Sequence, residues 1–114
     1  DIQRGLKQKG LPWEVSKAFD NSAAIGRFIS KNEFQDIQNI NFHLDIDSKI
    51  VQQGNTSDMI YSIDKIIAYV SQYFTLKIGD LIFTGTPEGV GPVQVDNHLT
   101  GYIENHRLLE FNVK

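Results

Sequence analysis

In the stretch NFHLDID, residues 41–47, apolar Phe42, Leu44 and Ile46 alternate with His43, Asp45 and Asp47. A period of two predicts a strand with one face on a core and the other toward solvent. DSK then reads as a turn, and IVQQGN as the strand that returns beside the first. The period changes further on. In SIDKIIAYVSQYF, Ile63, Ile66, Ile67, Val70 and Phe74 recur at steps of three and four, which predicts a helix capped by Ser62 with Asp64 in its first turn. Lys77 and Gly79 lead into the apolar run DLIFTG, expected as a buried strand. LTGYIE and LLEFNV bracket ENHR and predict two more strands, with Leu109, Phe111 and Val113 alternating in the last.

The first forty residues are less regular. DIQRGLKQKG has Ile2 and Leu6 four apart, basic Arg4, Lys7 and Lys9, and Gly10 placed as a helix terminator. It reads as the tail of a helix already under way at residue 1. With no initiating methionine, the expectation is that the chain is a fragment with sequence upstream. GLPWEVSKAFDNSAAIGRFISKNEF carries turn residues and scattered apolar positions, a loop-and-short-strand region. The whole is a β-rich α+β arrangement, antiparallel, with one central helix, and residues 1–114 are expected to be the C-terminal portion of a single domain.

Composition narrows the function classes. At 114 residues the chain is one domain at most. A formal net charge of −3, with the basic residues spread out, argues against a nucleic-acid surface. No apolar run approaches a membrane span. The chain has no cysteine, so disulfides, thiolate metal sites and a cysteine nucleophile are excluded, and a reducing, cytoplasmic setting is expected.

The stretch TGTPEGVGP, residues 84–92, packs three glycines and two prolines into nine positions. Proline fixes φ and glycine opens positive φ, so the segment is a shaped loop. Thr84 and Thr86 supply hydroxyls there, and Gly85 lets backbone N–H groups approach a ligand oxygen. A rigid turn between strands would need the same residues, and the Gly-Lys-Ser/Thr ending of a phosphate loop is missing. Lys17, in SKAFDNS near Trp13 and Phe19, could hold anionic oxygens if desolvated, or simply lie along Trp13 at the surface. GNTSDMI, residues 54–60, could line a polar pocket or serve as a capping turn before the helix. His43, His98 and His106 lack metal-ligand spacing and suit exposed strand positions. Asp45 and Asp47 read as the solvent face of their strand. Spacing alone therefore gives a pocket and no reaction.

Taken together, GLPWEVSKAFDNSAAIG, GNTSDMIYSI and GDLIFTGTPEGVGPV resemble, in order and spacing, the C-terminal part of the fumarylacetoacetate hydrolase family. The likeness is strongest to the branch of acylpyruvate hydrolases and oxaloacetate decarboxylases. The resemblance implies a mixed β-roll, a homodimer and a bound Mg²⁺ or Mn²⁺ acting on 2-oxo acids. It implies that Gln3 contacts substrate, that Lys17 is a catalytic residue that holds the substrate or lies just behind the metal's ligands, and that Thr86 hydrogen-bonds the substrate's oxygen. It places the metal ligands, a Glu-x-Glu pair and an aspartate, upstream of residue 1, so none is expected in this chain. The implied reaction is metal-dependent C–C hydrolysis of acylpyruvates, with oxaloacetate decarboxylation or isomerisation of 2-hydroxyhepta-2,4-diene-1,7-dioate as relatives, and the 114 residues alone are expected to be inactive. A reading of another class is a non-catalytic domain for 2-oxo-acid binding or dimerisation.

Overall fold

The computed structural model describes residues 2–114. Four strands form one antiparallel sheet in the order β2-β1-β3-β4, with β1 Asn41–Ile46, β2 Lys49–Asn55, β3 His98–Ile103 and β4 His106–Asn112. The alternation of residues 41–47 thus becomes an inner strand with a neighbour on each side. Asp47 and Ser48, at φ 51° and 65°, make the two-residue turn that joins β1 to β2. Positive φ at both central positions matches the twist of a tight hairpin.

Each hairpin carries one extra residue. Ile46 pairs with Lys49 and Asp45 with Ile50, but Leu44 pairs with Gln52, leaving Val51 as a bulge. Between β3 and β4, Tyr102 pairs with Arg107 and Gly101 with Leu109, leaving Leu108 as the bulge. A bulge shifts the register by one residue and so changes which side chains share a face. Leu44, Gln52, Gly101 and Leu109 consequently stand in one row across all four strands.

Two helices lie before and after the first hairpin in the chain, α1 Ile2–Gln8 and α2 Ile63–Val70. α1 is the expected N-terminal helix, with Gly10 at φ 62° after it; Asp1 lies outside the described residues. α2 begins where the sequence places it, the Ser62 hydroxyl accepting from the Lys65 N–H at 3.3 Å. Its regular part ends at Val70, and turns carry the chain to Phe74. Ser62→Ala is expected to cost about 1 kcal/mol, the usual worth of such a cap, seen as faster hydrogen exchange at the Lys65 amide.

One element departs from expectation. DLIFTG forms no strand: Leu81, Ile82 and Phe83 are 45%, 37% and 69% exposed, and no strand of the sheet pairs with them. An apolar run becomes a strand only where a neighbour accepts its backbone hydrogen bonds, and β2 is lined instead by the loop that follows. Between α1 and Ile40 the chain also forms no strand, only short 3₁₀ turns at Glu14–Ser16 and Lys31–Glu33. The buried core of the described residues is thin, Ile40 and Leu99 with the polar Thr100.

Candidate functional site

The row of Leu44, Gln52, Gly101 and Leu109 forms part of the floor of a broad cleft of about 1310 Å³. Its walls come from separate parts of the chain: residues 24–28, the GNTSDMI segment, Ile63 and Ile66 of α2, and the loop 84–88. The lining is mainly apolar with a few convergent polar groups, the usual character of a small-molecule site.

The 84–88 wall is held by one side chain. Gln52 Nε2 donates to the Thr86 hydroxyl at 2.9 Å, the Pro87 carbonyl at 3.0 Å and the Glu88 carbonyl at 3.3 Å. Gly89, at φ 96°, then passes so close to the Val51 carbonyl that a Cβ there would overlap it. The bulge at Val51 and the glycine at 89 together seat the loop on the outer edge of β2.

GNTSDMI proves to be both a capping turn and a wall of the cleft. The Asn55 side chain accepts from the Ser57 N–H at 2.8 Å and donates to Asn39 and Asn41 at 3.0 and 2.9 Å. Thr56 Oγ1 accepts from the Ile40 N–H at 2.8 Å and donates to the Ile37 carbonyl at 2.9 Å. These bonds tie the start of β1 to the end of β2 and fix Asn55, Thr56 and Asp58 along the cleft.

Of the residues singled out in the sequence, Thr86 lies in the cleft, while Lys17 and Gln3 do not line it. Lys17 is exposed at the end of the Glu14–Ser16 turn, its backbone N–H bonded to the Glu14 carbonyl at 2.9 Å. The ammonium over Trp13 belongs to Lys7, whose Nζ is 4.9 Å from the ring centroid. Gln3 is half-buried on α1.

The reading of His43, Asp45 and Asp47 as a plain solvent face needs correction. The His43 ring stacks on Tyr102 with centroids 4.4 Å apart, and Asp45 Oδ1 is shielded from solvent without a hydrogen-bond partner. Asp47 accepts from the His98 N–H at 2.8 Å and from Asn97 Nδ2 at 2.7 Å, closing the end of the sheet. His43 and Tyr102 are partners across β1 and β3, so their side chains share a face and shield each other there.

Among the described residues, no three histidine, aspartate or glutamate side chains converge as a metal site. These residues therefore do not form a cradle for the divalent ion that the resemblance implies. Among them, too, no helix is long and apolar enough to cross a membrane.

A four-stranded antiparallel sheet with a threonine loop clamped to its edge defines an α+β unit with an open cleft. The chain belongs to the fumarylacetoacetate hydrolase family, with residues 1–112 matching the description "Fumarylacetoacetate (FAA) hydrolase C-terminal". It is 48% identical over 109 residues to oxaloacetate tautomerase YcgM of Escherichia coli, covering 95% of this chain and 50% of that protein. It is 46% identical over 94 residues to the mitochondrial oxaloacetate decarboxylase of Dictyostelium discoideum, covering 82% and 43%. The structure of fumarylpyruvate hydrolase from Pseudomonas aeruginosa, in complex with Mn²⁺ and pyruvate, superposes with a TM-score of 0.88 at 35% identity, covering 99% of this chain and 48% of that one. The chain thus spans about half the length of the relatives it matches.

Gln52 was not legible in the sequence as a site residue. In an unbroken hairpin from the Asp47–Ser48 turn, Val51 would oppose Leu44 and Gln52 would oppose His43 on the other face. The bulge exchanges them. A polar residue in a strand beside a loop rich in carbonyls is the only signal that could have found it.

Proposed function

We propose that the chain forms one wall of the site of an enzyme that acts on a short 2-oxo acid through its enol form. The observation that carries this is Thr86, held at the cleft by Gln52 in a chain 48% identical to an oxaloacetate tautomerase. Tautomerisation, decarboxylation and C–C hydrolysis of such acids share one demand: an oxygen that gains negative charge must meet fixed donors. In this reading the Thr86 hydroxyl and the backbone beside Gly85 are such donors. Lys17 and Gln3 approach the same substrate from the N-terminal segment.

Oxaloacetate is the first substrate of this reading. Acylpyruvate hydrolysis is the second, favoured by the likeness to fumarylpyruvate hydrolase. The Mg²⁺ or Mn²⁺ belongs to the proposal with its ligands outside these residues, as does a homodimer, for which the exposed Ile60, Ile78 and Val90 offer apolar surface.

The test is turnover by a protein carrying this chain at the length of its relatives, supplied with Mg²⁺ or Mn²⁺. Oxaloacetate enol should be consumed faster than in buffer, EDTA should abolish the effect, and the 114 residues alone should be inactive. Failure to consume either oxaloacetate or acetylpyruvate would leave only the reading as a binding or dimerisation domain.

A further inference from the structure

We infer that Gln52 is a positioning residue for Thr86, occupying its oxygen as an acceptor and leaving the hydroxyl proton free for an acceptor on the ligand. The inference rests on the reading of the cleft as a 2-oxo-acid site and adds to it which kind of ligand atom Thr86 meets.

The argument starts from the two backbone carbonyls. Pro87 O and Glu88 O lie 3.0 and 3.3 Å from one terminal atom of the Gln52 amide. A carbonyl can only accept, so that atom must be the NH₂ group. The same nitrogen lies 2.9 Å from Thr86 Oγ1, and a nitrogen with both hydrogens and no available lone pair leaves that oxygen only the acceptor role. The hydroxyl proton is then free of Gln52, and among the described residues no protein group accepts it. It remains for whatever enters the cleft.

The free proton is matched by an acceptor on the ligand, such as a carboxylate or enolate oxygen. Charge-assisted bonds of this kind are the stronger ones. The bulge at Val51 is what brings Gln52 to this position, in keeping with the frequent role of bulges in re-aiming a side chain beside a site. The arrangement also selects. A loop hydroxyl free to turn has no preferred direction, and this one, with its proton free of Gln52, favours acceptors.

Gln52→Glu keeps the shape of the side chain and inverts its polarity. The ionised carboxylate takes the Thr86 proton, and KM for oxaloacetate in the intact protein is expected to rise about tenfold, the scale of one lost ligand hydrogen bond. As pH falls and the introduced carboxyl is protonated, its O–H can again donate to Thr86, so KM should recover toward the wild-type value, whereas Gln52→Leu should show no such recovery. Thr86→Val supplies the decisive comparison. If Gln52 acts through the hydroxyl, Gln52→Glu adds little to the KM of Thr86→Val. Fully additive effects, or an unchanged KM in Gln52→Glu, would overturn the assignment.

Hydrogen exchange separates this from failure of the functional reading. If the wild-type protein consumes no 2-oxo acid, that reading falls, and Gln52 is judged on the loop itself. Faster exchange at the amides of Thr86 and of residues 88–90 in Gln52→Leu then supports a positioning role. Unchanged exchange ends it.

Discussion

Gly89→Ala is expected to destabilise the protein by about 2–4 kcal/mol and to lift the 84–90 loop off the sheet. Two independent terms act at this position. The backbone sits at φ 96°, a conformation that costs an L side chain about 1–3 kcal/mol. The added Cβ would also overlap the Val51 carbonyl, and a backbone oxygen in a strand cannot turn aside as a flexible side chain could. The chain must move away, and with it go the three acceptors that Gln52 holds at Thr86, Pro87 and Glu88. Denaturant unfolding of the intact protein measures the first effect and exchange at the loop amides the second. Gly91→Ala is the control two residues away, with nothing within 4 Å of its Cβ and no positive φ, and should change stability by less than about 0.5 kcal/mol. Equal stability of the two variants would mean that the loop is not seated by Gly89.

This seat explains why the sequence showed the loop but not its setting. TGTPEGVGP announces itself through proline and glycine, whose backbone limits are local properties. β1, β2, β3, β4 and the Ser62 cap were legible for the same reason, since alternation, turn chemistry and capping act over a few residues. DLIFTG was misread because an apolar run carries no information about whether a neighbouring strand exists to pair with it. The resulting exposure of Phe83, at 69%, is a property of the assembly of elements and not of the run.

The two bulges mark a deeper limit. Nothing in LDIDSKIVQQG requires Val51 to be skipped, yet that one residue decides whether valine or glutamine reaches the cleft. Register is settled by packing across the sheet, and a single slip moves every later side chain to the opposite face. Thr86 is singled out by a motif that is local, whereas the place of Gln52 in the cleft depends on register. Lys17 shows the converse case. Its motif resembles a family block, while the structure gives the nearby Trp13 ring to Lys7.

The second large effect is expected at Gly26, on the opposite wall. Residues 24–28 run beside the outer edge of β4, where the Arg27 N–H donates to the Leu108 carbonyl at 2.7 Å and the Arg27 guanidinium reaches the Arg107 carbonyl at 3.4 Å. Leu108 is the bulged residue of β4, so this contact caps an irregular point of an otherwise open edge. A Cβ on Gly26 would overlap the Leu108 carbonyl and lie within 2.9 Å of Leu109 Cα. Both are backbone atoms of a strand, so the 24–28 segment must yield. Gly26→Ala is expected to cost about 2–4 kcal/mol, combining overpacking with the loss of the Arg27 hydrogen bond. Gly5→Ala makes the contrast sharp. That residue lies inside α1 with nothing within 4 Å of its Cβ, and the same substitution there should stabilise by about 0.5–1 kcal/mol through helix propensity. Opposite signs for the two variants in denaturant unfolding, with faster exchange at Arg27 only in Gly26→Ala, would establish that the segment is docked by close backbone approach. A neutral Gly26→Ala would mean that this wall of the cleft is not fixed by β4, and that its shape is set when ligand or further protein closes over it.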